Sequence, residues 1–254
     1  MRPTPETPPA PPTATWLWKP PPDIGAAIGF ADACGVRDVA VSVPWNGVTP
    51  MIAATVRAFR GAGISVTALG SGTYWPLDPS SALEWAERAM KGADFDGLHL
   101  DVEFWTLAQF TADPVRWTRG FVELVGRLRE TVDEHLTVDL AAGLAVRFPD
   151  SFRCCAAAAS TVTLLAYRDR AGDLLEFSAA GRGLLGDTAT PYRLGVETQR
   201  VSTSVLPHMT FGDDGRAVLD RELTDATSML GNDSRFRGWA VHHLTSWMDL
   251  PGRR

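Results

Sequence analysis

The chain has 254 residues, three cysteines and a net charge of −6. This length suits one large core, and the acidic balance argues against nucleic acid or an anionic membrane as the main partner. No apolar run is long enough to span a bilayer. Cys34, Cys154 and Cys155 lack zinc spacing, and the adjacent pair is poorly placed to bridge, so buried thiols in a reducing, cytoplasmic setting are expected.

The N-terminal run MRPTPETPPAPPTAT is Pro-rich and lacks the apolar segment of a secretory signal. Residues 1–14 therefore read as an extended, disordered tail, and 15–254 as one catalytic domain. Residues 15–19 (TWLWK) predict the first strand. A helix follows over 23–34, with Ile24, Ala27, Ile28, Ala31 and Cys34 at helical spacing. A second strand is expected at 38–43. Thr49-Pro50 opens a helix with Ile52, Val56 and Phe59 on one face, stopped by Gly63. The third strand is expected at 65–69. Ser81-x-x-Glu84 reads as a capping box opening a helix to Met90.

The fourth strand carries the most information. In Asp96-Gly97-Leu98-His99-Leu100-Asp101-Val102-Glu103, three polar residues alternate with aliphatic ones. A period of two places His99, Asp101 and Glu103 on one face of a strand too apolar to lie on a surface. Buried polar groups are costly unless paired or used, so this row suggests a site.

Asp113-Pro114 then starts a long helix with Phe121, Leu124, Leu128 and Val132 inward. Strand five is expected at 137–141, a short Ala-rich helix at 152–159 and strand six at 161–167. A helix at 173–185, strand seven at 192–198, a helix at 219–230 and strand eight at 239–244 complete the chain. Strand–helix alternation of this count predicts an α/β, single-domain (β/α)8 TIM barrel. No G-x-G-x-x-G or P-loop follows a strand, which argues against an open nucleotide-binding sheet. The long loop 199–217, with His208, Phe211 and Gly212, is a candidate substrate lid.

In such a barrel the site lies at the C-terminal strand ends. Reading those ends adds Asp139, Tyr167, Glu197 and one of His242 and His243 to Asp101 and Glu103. Alternation against Trp239 and Val241 turns His242 inward. His99, one layer deeper, reads as a hydrogen-bond partner of Asp101. Nine tryptophans are many for this length, and Trp18, Trp45, Trp105 and Trp247, with Trp16 and Trp75, lie near strand ends. Trp18, Trp45, Trp105 and Trp247 are candidates for stacking on sugar rings. No H-x-H, H-E-x-x-H or compact carboxylate run is present, so neither a metal nor a cofactor is expected.

The run Asp96-Gly97-aliphatic-X-aliphatic-Asp101-X-Glu103 resembles the strand-four signature of glycoside hydrolase family 18, the chitinase-like barrels. His99 stands where that family usually has another Asp. The resemblance implies that Glu103 is the general acid and that Asp101 orients the substrate acetamido group. It also implies that Tyr167 contacts the acetamido carbonyl, although the local order here is Tyr-Arg-Asp rather than the usual Tyr-Asp. A strand-four acid with a strand-seven carboxylate also looks like the 4/7 clan of retaining glycosidases, in which Glu197 would be the nucleophile. That clan has Asn where Val102 stands. The resulting expectation is a glycosidase acting on a small-molecule or oligosaccharide substrate. A biosynthetic acid/base enzyme (isomerase, lyase or cyclase) on the same barrel is a second reading. A non-catalytic sugar-binding protein is a third, disfavoured by the intact Glu103.

Overall fold

The computed structural model describes residues 13–252. Eight parallel strands close into a barrel in sequence order, β1 pairing with both β2 and β8. They are β1 (Thr13–Leu17), β2 (Val36–Ser42), β3 (Ser65–Gly70), β4 (Gly97–Leu100), β5 (His135–Ala141), β6 (Thr161–Leu165), β7 (Tyr192–Glu197) and β8 (Phe236–His242). The intervening helices are α1 (Ile24–Ala33), α2 (Pro50–Gly61), α3 (Pro79–Gly92), α4 (Pro114–Thr131), α5 (Ala142–Arg147), α6 (Pro149–Ala158), α7 (Ala171–Thr188), α8 (Arg216–Leu230) and α9 (Leu244–Met248). The predicted (β/α)8 barrel is the fold of the chain.

Alternation along the strands builds two cores. Outward residues such as Leu98, Leu100, Val162, Leu164, Leu194, Val196, Trp239 and Val241 pack under the helices. Inward residues Ala14, Trp16, Ala40, Leu69, Leu165 and Ala240 form a smaller cluster inside the barrel. The rest of the interior is polar. Near the base, Arg193 on β7 pairs with Asp38 on β2.

Several local readings change. Strand β1 starts at Thr13, inside the segment read as tail; the remainder of that segment, 1–12, lies outside the described residues. Ser81 does not open α3. The helix begins at Pro79, and the Ser81 hydroxyl, already inside it, donates to Asp78. The Asp78-Pro79 pair is the true start signal, as Asp113-Pro114 is for α4, where the Asp113 carboxylate accepts from the Arg116 amide. Helix α5 was not anticipated. Its six residues directly follow β5 and include Gly143, leaving little periodicity to read.

One close approach braces the mouth of the barrel. Gly120 on α4 faces the short helical turn Trp75–Leu77, and a Cβ there would collide with the Pro76 carbonyl. That turn follows the loop bearing Ser71 and Thr73, which line the central cavity. Gly120→Ala is therefore expected to destabilise the protein by about 1–3 kcal/mol, read as a lower urea midpoint. An unchanged midpoint would show that this contact yields freely.

Candidate active site

A cavity of about 730 Å³ opens at the C-terminal ends of the strands. Asp101, Glu103, Tyr167, Glu197, His242, Trp18 and Trp105 all lie on its wall. These residues come from β1, β4, β6, β7 and β8 or from the segments just beyond them.

Strand β4 ends at Leu100, so Asp101 and Glu103 follow it rather than belong to it. The Asp101 amide still donates to the Gly70 carbonyl at 2.9 Å, which keeps the segment extended. Val102 and Phe104 are fully buried on the opposite side. The Phe104 ring sits among Phe110, Phe121 and Trp117, with centroids 5.4, 5.1 and 6.2 Å away. Apolar anchoring on both sides of Glu103 turns its carboxyl into the cavity.

The acids divide sharply by their bonding. Asp101 is buried, and its Oδ1 has no hydrogen-bond partner. Neither the Glu103 carboxyl nor the Tyr167 hydroxyl has a hydrogen bond from the protein. Glu197, by contrast, is occupied on both oxygens. Its Oε1 accepts from the amides of Thr198 at 2.7 Å and Gln199 at 2.8 Å. Its Oε2 lies 2.9 Å from His242 Nδ1.

That last contact has a direction. Trp18 Nε1, which can only donate, lies 2.8 Å from His242 Nε2. Nε2 must therefore accept, which places the imidazole proton on Nδ1, pointing at Glu197. Trp18, His242 and Glu197 form one string of hydrogen bonds across β1, β8 and β7.

Burial first, then the nearby Asp139 and Glu103, pushes the Asp101 carboxyl well above the usual carboxylate range. Glu103 is also raised, by burial first; His242 works against this, while Asp139 and Glu197 add to it. Tyr167 is raised well above the usual phenol range by burial, then by Asp101, Glu197, Glu103 and Asp139.

Other expectations are corrected as well. His99 does not bond Asp101. Its Nε2 lies 2.7 Å from Asp139 Oδ1, and Trp16 Nε1 donates to Asp139 Oδ2 at 3.0 Å. Asp139 is fully buried, and neither it nor His99 lines the cavity; His99 lines a separate small cavity with Thr15, Trp16 and Thr137. Trp45 does not line the cavity either. It is 47% exposed in the loop after β2, with the Arg88 guanidinium 4.2 Å from its ring centroid. Trp247 is buried on α9 against Phe30, its ring 5.2 Å away, because α9 turns it toward α1. His242 faces inward as the alternation predicts, and His243 also reaches the wall while capping α9.

The wall further includes residues not anticipated from sequence: Gln199, Ser204, Val205 and Met209 from the loop after β7, and Arg168 and Phe177. The lid candidate is therefore part of the wall. It is tied down by Thr210, whose hydroxyl donates to the Glu197 carbonyl at 3.3 Å, and by the Phe211 amide, which bonds the same carbonyl at 2.9 Å. The departure Tyr-Arg-Asp was the only sequence signal for Arg168. Among the described residues no helix is long and apolar enough to cross a membrane.

No protein-family model matches the chain, and no curated protein matches it. Similar solved structures do exist. One is a chitinase from Ipomoea carnea, 16% identical over 93% of this chain and 96% of that one, with a TM-score of 0.52. Another is an endo-β-N-acetylglucosaminidase from Cordyceps militaris, 15% identical over 95% and 83%, with a TM-score of 0.62. A third is a family 128 exo-β-1,3-glucanase from Aureobasidium namibiae, 12% identical over 91% and 82%, with a TM-score of 0.51. The chain thus shares the (β/α)8 fold of these glycoside hydrolases at low sequence identity.

Proposed function

We propose that the protein is a glycosidase in which Glu103 is the proton donor and the substrate's own acetamido group is the nucleophile. The observation that carries this is the division among the acids. Asp101 and Glu103 are proton-retaining and unbonded on the cavity wall, whereas Glu197 is saturated by two amides and His242. The hydrogen bonds of Glu197 give it a role in holding His242 and the loop after β7, which favours positioning over attack. The chitinase and the endo-β-N-acetylglucosaminidase among the fold neighbours agree with this reading.

In the proposed reaction the Glu103 proton passes to the glycosidic oxygen as the anomeric C–O bond breaks. The acetamido oxygen bonds to the anomeric carbon. Asp101 receives the acetamido N–H, and the Tyr167 hydroxyl supports the oxygen. Water, deprotonated by the Glu103 carboxylate, then opens the cyclic intermediate and restores the acid. Glu197 is a positioning residue that holds His242 and, through it, Trp18.

Release of nitrophenol from 4-nitrophenyl N-acetyl-β-glucosaminides tests the reaction. A thiazoline mimic of the cyclic intermediate is expected to inhibit, and a 2-fluoro glycoside is expected to leave no adduct in the intact mass. Glu197→Ala is expected to lose activity that azide does not restore. A Glu197 adduct, or azide rescue, would reinstate Glu197 as nucleophile. No release from any aryl glycoside, by a folded protein, would move the assignment to the non-glycosidase acid/base enzyme.

A further inference from the structure

Arg168 is the only arginine or lysine on the cavity wall among the described residues. It directly follows Tyr167, just beyond β6. Its guanidinium lies 3.8 Å from the centroid of the Phe177 ring on α7, and its Nη1 donates to the Tyr167 carbonyl at 2.6 Å. These contacts hold the planar head in place but leave its other N–H donors unbonded. No carboxylate pairs with it. Phe177 shares the wall with it, and Ser204 and Val205 reach the same cavity from the loop after β7.

A fixed guanidinium, backed by an aromatic face and with free donors turned to a cavity, is built to grip an anionic oxygen pair. A neutral sugar would leave that charge desolvated and unpaired when it fills the cavity. We propose that the substrate carries an anionic group, a carboxylate or a sulfate or phosphate ester, and that Arg168 recognises it. This rests on the glycosidase reading of the same cavity and specifies its substrate class.

The test uses Glu103→Gln protein, which keeps the cavity and prevents turnover, and ligand-observed NMR titration. The probes are N-acetylglucosamine, its 6-sulfate, its 6-phosphate and N-acetylmuramic acid, which adds a carboxylate. At least one acidic sugar is expected to bind about tenfold tighter than N-acetylglucosamine, and which one does so identifies the anion. Adding Arg168→Met is expected to remove that gap while leaving the affinity for N-acetylglucosamine unchanged. Arg168→Lys, which keeps the charge but not the planar head, is expected to retain part of it. Raising the salt concentration is expected to narrow the gap. Equal binding of all four sugars, binding of none, or a gap that survives Arg168→Met would overturn the proposal. These outcomes separate from failure of the glycosidase reading. Arg168-dependent binding without cleavage of any glycoside would leave the anion subsite and remove the reaction; cleavage of neutral glycosides with equal binding would do the opposite.

Discussion

Glu103→Gln is expected to lower kcat by about 10²–10⁴-fold while KM and the urea midpoint stay close to wild type. Glutamine preserves the shape of the side chain and removes only the transferable proton. The fold does not depend on the carboxyl, because no protein group bonds it. The segment is held instead by Val102 and Phe104, both fully buried. The pH profile supplies a second readout. Burial lifts Glu103 above the usual carboxylate range, so the acid stays protonated to higher pH, and activity is lost as pH rises through that raised value. The basic limb of kcat/KM should therefore lie above that of an ordinary glutamic acid, and the residual rate of the variant should lack it. A variant retaining more than about a tenth of wild-type kcat would end the proton-donor assignment.

Asp101→Asn is expected to move activity and stability in opposite directions. The rate should fall by about tenfold, the value of one hydrogen bond to the reacting group. Stability follows from the raised carboxyl. Between the ordinary carboxylate range and the raised value, the folded state binds more protons than the unfolded state. The free energy of unfolding therefore falls as pH rises through that window. Asparagine carries no such loss, so the variant should have the higher Tm at about pH 8 and lose that advantage at about pH 4. Because Asp101 and Glu103 interact, removing the Asp101 charge should also shift the pH–rate profile. Equal Tm differences at both pH values would show that the buried carboxyl carries no penalty.

The barrel was legible because its evidence is distributed. Each strand contributes its own apolar run and each helix its own stop signal, so a misplaced start, as at Ser81, changes nothing downstream. Directions of side chains were legible for the same reason: alternation against Trp239 and Val241 turns His242 inward whatever the strand's limits. Partners were not. His99 points into the barrel as its period requires, but whether it meets Asp101 above it or Asp139 on the next strand depends on the stagger between β4 and β5. Trp18 likewise reads as a sugar platform, and only the closure of β1 onto β8 brings its indole N–H to His242. Trp45 and Trp247 show the limit of reading by position, since a place near a strand end says nothing of which way the following loop or helix turns the ring.

The strings Trp18–His242–Glu197 and Trp16–Asp139–His99 are carried almost entirely by residues in the strands or just past their ends, whereas Ser71, Thr73, Phe177, Ser204, Val205 and Met209 come from loops and helices. Apart from Arg168, reactivity and selectivity are thus written largely in different parts of the chain. Variation in the loops can retune which molecules enter without disturbing the proton inventory beneath, the same partition that lets one barrel serve many substrates. A library confined to 71–73 and 200–209 would be expected to yield altered substrate preferences at nearly constant pH dependence, a route to new catalysts that leaves the inherited chemistry untouched.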